Sequence, residues 1–299
     1  MSVSLPWTSG RPRLKPERLR AVRRGLFWWF SPPVNAHMCI TVCGDFTAAR
    51  AYLERLSGQG AAPVTLTHLV SAIVGRVLVE FPRVNARIIG RHLYLVPDVG
   101  LVLPVDLTGR PGARWGEVSL VVVPRVQDRS LRDLSLATRE MVDEERSGAM
   151  SNPVMRVLAR AADRLPATAA HGVFRGLHGA TRVPPLARAF YGAFPVTSMV
   201  TNPGFAFRDE EAGLFRSAAI TIPPRVAHLG TIWGFSRVQD EVIAVEGKPE
   251  VRPMLPTMLA FDHRLMDGVM AGRVLTRFGA ILQDPESVFG ADGEVAIGR

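Results

Sequence analysis

Ten residues near the C-terminal end place the tightest constraint on this chain: Leu259-Ala260-Phe261-Asp262-His263-Arg264-Leu265-Met266-Asp267-Gly268. The run before the histidine, Pro256 to Phe261, is apolar enough for a largely buried strand. The run after it carries Val269, Met270, Val274, Leu275, Phe278, Ile281 and Leu282 at helical spacing. Asp267 takes the N-cap position, where a short carboxylate accepts from free first-turn N–H groups, and Pro285 stops the run. His263 is therefore expected on a tight strand-to-helix connection, where a rigid scaffold can aim an imidazole into a cleft. An imidazole titrates near neutrality, which suits a general base. Taken without its surroundings, His263-x-x-x-Asp267-Gly268 also fits a surface histidine beside an Asp-Gly turn.

The rest of the chain reads as one α/β unit. Residues 1 to 12 contain Pro6, Gly10 and Pro12 and are expected to form a flexible arm. Residues 13 to 30 are basic and helix-like, and end in Leu26-Phe27-Trp28-Trp29-Phe30 before Pro32-Pro33. His37 to Val42 alternates as a strand, and Phe46 to Leu56 is a short helix. Thr67 to Phe81 is the clearest helix, with Leu69, Val70, Ile73, Val74, Val77, Leu78 and Phe81 on one side. His68, at its start, is read as structural. Strands are expected at about 86 to 89, 92 to 96, 99 to 106 and 118 to 126, and Ser130 could cap a helix running to about Arg146. After two or three short amphipathic helices in residues 149 to 193, strands return at about 196 to 202, 217 to 222, 227 to 236, 241 to 246 and 251 to 261. Residues 286 to 299 look like a tail.

Several segments carry a family resemblance, and they come in the family's order. His68-Leu69-Val70 through Glu80-Phe81-Pro82-Arg83-Val84-Asn85-Ala86-Arg87 is similar to a helix ending in Glu-Phe-Pro-x-x-Asn-Ala. Val99 to Asp106 resembles a Gly-x-Ala-Val-Asp strand, and Val200-Thr201-Asn202-Pro203-Gly204 resembles Ile-Ser-Asn-x-Gly. Pro223-Pro224 through Leu229-Gly230 resembles Pro-Pro-x-x-x-Ile-Leu-x-x-Gly. With Asp-His-Arg-x-x-Asp-Gly at 262 to 268, the set resembles the catalytic domain of the acyltransferase component of 2-oxo acid dehydrogenase complexes, with chloramphenicol acetyltransferase as a relative.

The resemblance covers most of residues 13 to 285. It implies a chloramphenicol acetyltransferase-like fold: a single α/β domain, a mixed-sheet sandwich flanked by helices. It implies acyl transfer to or from coenzyme A, with no metal. His263 would be the base and Thr201, where the family has a serine, the donor to the oxyanion. Asp267 would hold the histidine loop and cap the helix. Asn202 and Gly204 would shape the turn presenting Thr201, and with Gly268 would form the substrate side. The implied assembly is a homotrimer, or a higher assembly of trimers, with His263 of one chain facing Thr201 of its neighbour.

Two departures stand out. The catalytic-like segment starts close to Met1, so no covalent lipoyl is expected on this chain, and the acyl acceptor, a small molecule or carrier-bound group, need not be lipoamide. Residues 149 to 193 replace a short connection of the family with an insertion rich in Ala, Arg and Pro. It could be inert packing, a lid covering the acceptor side of the channel, or a lipid- or partner-binding patch.

Bulk properties narrow the function classes. Apolar residues make up 47% and charged residues 21% of the 299, ample for a packed core and too little charge for a disordered chain. The net charge of +9 is almost wholly arginine, since Lys15 and Lys248 are the only lysines. It favours an anionic partner, or reflects an arginine-rich genome. No nucleic-acid motif is present, so no nucleic-acid partner is expected, and peripheral membrane contact stays open. Cys39 and Cys43, at i and i+4 of a strand, point to one face and are read as buried free thiols in a reducing compartment. No run reaches the length of a membrane span, which makes the cytoplasm the expected location. Alternatives to an acyltransferase are a catalytically weak trimeric scaffold and a membrane-associated binding protein of the same fold.

Overall fold

A computed structural model describes residues 15–16, 36–58, 63–90, 92–107, 118–147, 166–203, 219–222 and 228–299. A large sheet runs in the spatial order β2 (His37–Asp45), β10 (Lys248–Asp262), β8 (Thr231–Phe235), β7 (Ser198–Thr201), β5 (Leu101–Asp106), β6 (Val118–Val123), with β9 (Gln239–Val245) paired to the first half of β10. β7 runs parallel to both β5 and β8, and the other pairs are antiparallel. A small second sheet is made of β1 (Lys15–Pro16), β4 (His92–Leu95) and β3 (Ala86–Ile89).

The strands are β-branched and apolar on both faces, as covered strands require. Towards one face, Leu101, Leu103, Val105, Val200, Trp233, Phe235, Leu259 and Phe261 meet helices α1 (Thr47–Ser57), α2 (Leu66–Glu80) and α6 (Gly268–Gln283) in the main core. Towards the other, Val102, Ile232 and Ala260 pack with Val122, Val196, Ile222 and Leu229. α3 (Leu131–Ser147) closes the β6 side, with Leu131 and Leu134 fully buried. Its N-terminus is capped as the sequence suggests: Ser130 Oγ accepts from Asp133 N–H at 3.1 Å.

β10 contains three prolines, and its neighbours make room for them. Pairing to β9 ends at Met254 and pairing to β8 begins at Thr257, so Pro256 sits where one partner hands over to the next. Pro249 and Pro253 lie in the part of β10 that β2 does not reach. A missing N–H is tolerated at such places and not in a fully paired strand.

Four expectations are corrected. Residues 286–299 are no tail: α7 (Glu286–Phe289) and the chain after it put Phe289 and Ile297 fully into the main core, and Ile297 N–H donates to Arg129 O at 2.8 Å. Cys39 and Cys43 do share a face, but it is the exposed one; β2 is an edge strand whose Ile40 and Val42 take the core side. Lys15–Pro16 is extended and pairs with β4, where a helix was expected; Pro16 cannot supply an interior helical N–H. The rest of 1–35 lies outside the described residues. Residues 219–222 run without regular strand pairing, although Ile222 is buried beneath the sheet. His68 is structural as read: its Nδ1 accepts from Thr65 N–H at 3.1 Å in a capping box, and burial, with Arg139 nearby, pulls it down to about 4.

Of the expected insertion, α4 (Ala167–Ala180) and α5 (Pro184–Ala193) are described and 148–165 are not. α5 packs Ala187 and Tyr191 on Ile89 and Tyr94 of the small sheet. Arg87 joins the two: it is buried with no carboxylate paired to it among the described residues, lies 4.3 Å over the Tyr191 ring, and donates to the carbonyls of His228 (2.8 Å), Phe194 (3.4 Å) and Val196. Burial lowers its guanidinium to about 10, while Tyr191 acts in the opposite sense.

Candidate active site

The connection between β10 and α6 forms as the sequence requires. β10 ends at Asp262, His263 and Arg264 turn the chain, and Asp267 starts α6, its Oδ1 accepting from Met270 N–H at 2.9 Å. Met266 and Leu265 are buried and anchor the turn. His263 N–H donates to Ala36 O at 2.7 Å, which ties the turn to the start of β2. Its ring lies 6.4 Å from that of Phe261. Gly230 lies beneath the turn: a Cβ there would come within 2.7 Å of Leu265 Cδ2 and 3.3 Å of Ala86 O. Glycine therefore lets β8 begin under the turn, and Asp262 N–H reaches Gly230 O at 3.1 Å.

The charge that holds this turn is on Asp262. Its carboxylate is buried and accepts from Arg264 N–H (2.9 Å), Arg264 Nε (3.0 Å), Arg264 Nη2 (2.6 Å) and His228 Nε2 (2.8 Å). Burial pushes this carboxyl up, but the hydrogen bonds from His228 and Arg264 outweigh it and hold the group well below the usual carboxylate range. His37, opposite Asp262 in the β2 register, is lowered: burial, His228 and Arg264 outweigh the attraction of Asp262. His37, His228 and Arg264 are not among the site residues that the sequence singles out. Arg264 was visible in the motif, but nothing local ties His228 to a residue 34 positions away.

Thr201 ends β7 and shares the non-helical face of the sheet with Met199. It is half-buried, and among the described residues nothing hydrogen-bonds its hydroxyl. β7 is seated by Asn85, which accepts from Thr197 and donates to Val96 O at 2.7 Å. The Oδ1 of Asn202 is buried without a partner among the described residues. Gly204 lies outside them, as do Pro223 and Pro224. Gly268 opens α6 at an exposed position, where a Cβ would meet nothing within 4 Å.

These residues do not meet within one chain. Register places Thr201 beside Gly234 and Gly234 beside Met258. His263 is five residues beyond Met258 and two strands over, so the two side chains sit roughly 20 Å apart, near opposite ends of the sheet. Within one copy, His263 keeps company with Asp267 and Gly268, and Thr201 with Asn202. Among the described residues there is no group of three or more side chains suited to a metal ion, and no helix long and apolar enough to cross a membrane.

Residues 197–290, which include both ends of this arrangement, match the family model for the 2-oxoacid dehydrogenases acyltransferase catalytic domain. That match takes in about a third of the chain. The chain is 31% identical over 94 residues to the dihydrolipoyllysine-residue succinyltransferase component of the 2-oxoglutarate dehydrogenase complex of Rickettsia bellii, covering 30% of this chain and 22% of that protein. The matched stretch thus spans about a fifth of that relative's length. The fold agrees over nearly the whole chain. A dihydrolipoamide acetyltransferase of Azotobacter vinelandii, studied for the role of a serine, a histidine and an asparagine in its catalytic mechanism, superposes with TM-score 0.58 at 19% identity, covering 91% of this chain and 93% of that one. Chloramphenicol acetyltransferase superposes with TM-score 0.52 at 14% identity, covering 90% and 99%. The chain therefore has the chloramphenicol acetyltransferase-like fold of the acyltransferase catalytic cores, as its sequence suggested.

Proposed function

We propose that this protein is a coenzyme A-dependent acyltransferase whose active site is assembled from two copies of the chain. The reading is carried by the placement of His263 on the buried strand-to-helix turn, within the segment that matches the family. In the Azotobacter acetyltransferase the histidine and asparagine under study are separated as His263 and Asp267 are here. Its serine corresponds by type to Thr201, which keeps the hydroxyl.

The chemistry runs as follows in this reading. His263 takes the proton from the incoming nucleophile, a thiol if coenzyme A is being acylated, as that nucleophile attacks the acyl carbonyl. The Thr201 hydroxyl of a neighbouring copy donates to the oxygen that becomes negative in the tetrahedral intermediate. The intermediate collapses, the bond to the original carrier breaks, and the histidine returns its proton to the leaving group. Asp262, fixed by Arg264 and His228, keeps the turn in place; Asp267 caps the helix and moves no proton. Asn202 sets the end of β7 and, with Gly204 and Gly268, borders the substrate.

The separation of Thr201 from His263 within one chain favours a trimer, in which the two ends of adjacent sheets face each other. It also leaves the acceptor as a second, separate ligand, reached from the side opposite coenzyme A. The deciding experiment is a thioester-consumption assay with a panel of acyl-CoAs and thiol, hydroxyl and amine acceptors, run beside His263→Ala. Turnover that is equal in both proteins would remove this reading, and turnover with no member of the panel would favour the scaffold alternative.

A further inference from the structure

From Asp163 to Asp209 the sequence has no acidic residue between those two. The described part of that stretch is a helix–turn–helix, α4 and α5, and it carries three exposed arginines, Arg175, Arg182 and Arg188. No carboxylate in the segment is available to pair with them; among the described residues Arg188 Nε reaches Pro184 O, at 3.3 Å. Beside them, Val173, Val183 and Leu186 are 45%, 46% and 53% exposed. The inner side of α5 is accounted for by Ala187 and Tyr191 on the small sheet. Leu186 and Arg188 lie away from that side. In α4 no described side chain is buried at all. A Cβ at Gly172, Gly176, Gly179 or Gly192 would meet nothing within 4 Å, so this is an open face rather than a walled groove.

Solvent would satisfy the guanidinium groups but would leave the aliphatic residues exposed without a use. A nucleic acid would engage the arginines through its phosphates and again leave Val173, Val183 and Leu186 in water. A second copy of the same face would bring like charges together. A bilayer with anionic headgroups satisfies both sets: cations at the headgroup level, aliphatics at the acyl boundary. We propose that the outer face of α4 and α5 docks on an anionic phospholipid surface. Arg175, Arg182 and Arg188 meet the headgroups there, and Val173, Val183 and Leu186 enter the acyl boundary. The assignment does not depend on the acyltransferase reading.

The test is co-sedimentation of the full chain with vesicles of pure phosphatidylcholine, and with vesicles in which about a third of the lipid is phosphatidylglycerol. Binding is expected only to the second kind and should fall as salt rises, because exposed charges are screened beyond about 8 Å at physiological ionic strength. Each arginine near an anionic surface is worth a factor of about five, so Arg175→Ser, Arg182→Ser and Arg188→Ser together should lower the partition coefficient about a hundredfold. All three are exposed, and an unchanged circular dichroism spectrum would verify the fold. Val173→Ser, Val183→Ser and Leu186→Ser should weaken binding while leaving its salt dependence intact. Equal binding to both vesicles, or wild-type partitioning of the arginine variant, would overturn the proposal. So would retention of duplex DNA without vesicle binding. A change of oligomeric state in the aliphatic variant, seen by light scattering, would make the face a contact between copies and overturn it as well.

Discussion

His228 Nε2 lies 2.8 Å from Asp262 Oδ2, which ties the chain just before β8 to the last residue of β10. Arg264 reaches the same oxygen from the other side of the turn at 2.6 Å. One buried carboxylate therefore fixes both the entry of one strand and the exit of its neighbour, directly before the proposed base. Asp262→Asn should cost about 3 kcal/mol, since Arg264 would be left partly buried without its counter-charge. His228→Gln, which can still donate, should be milder than His228→Ala. Chemical denaturation of the three variants measures this order; equal stability of Asp262→Asn and wild type would show that the turn is held by something else.

The proposed base and the proposed oxyanion donor are separable by substitution. His263→Ala should slow acyl transfer by a factor of about a hundred to ten thousand with little change in stability. Thr201→Val keeps the shape, removes the donor, and should raise the barrier by about 3 kcal/mol. Thr201→Ser should retain activity. Steady-state kinetics compares them, and Val and Ser variants that behave alike would leave Thr201 with a structural role only.

The distance between these residues within one chain makes a mixing experiment decisive. His263→Ala and Thr201→Val chains, each inactive alone, are co-expressed and the assembled protein is assayed. In a head-to-tail ring about a quarter of the sites would combine an intact histidine with an intact threonine, so about a quarter of wild-type activity should return. No recovery in verified mixed assemblies would place the site within one chain.

Asp267 is assigned to the helix, and amide and carboxylate cap a helix almost equally well. Asp267→Asn should be close to neutral in stability and rate, whereas Asp267→Ala should cost about 1 kcal/mol. A large rate loss in Asp267→Asn with unchanged stability would give the carboxylate a chemical part.

His68 governs part of the acid sensitivity. Its folded value of about 4 is below the ordinary histidine value of 6.5, so the unfolded chain binds the proton more readily. The associated stability is complete above pH 6.5 and is lost as pH falls towards about 4. It amounts to roughly 3 kcal/mol. His68→Gln keeps an acceptor for the capping box and cannot titrate. Its unfolding free energy should therefore be flatter across that window than wild type's. Asp262 acts in the same direction at lower pH: its depressed carboxyl stabilises the fold above the ordinary aspartate value and loses that contribution in more acid solution.

The strand, turn and helix around His263 were legible because local rules agree there: an apolar run, an N-cap and a period that changes from strand to helix. Thr201 is a candidate only through the family resemblance of its segment, a resemblance that also implies the fold. Arg264 lies in the motif beside Asp262, but His228 and His37 are not legible as its neighbours, since only the folded sheet brings them there. The exposure of Cys39 and Cys43 was misread because an apolar strand looks the same at an edge as at the centre; only the neighbour decides. The chain after Pro285 was misread because Phe289 and Ile297 are isolated apolar residues without periodicity, and their burial depends on a place left open by α1, α2 and the turn at 126–128.

The separation of Thr201 from His263 has a consequence for inheritance. If every site draws on two adjacent copies, one copy defective at both residues spoils the site on either side of it. Activity then falls as the square of the intact fraction, and a damaged allele expressed beside a sound one acts as a dominant inhibitor rather than a diluent.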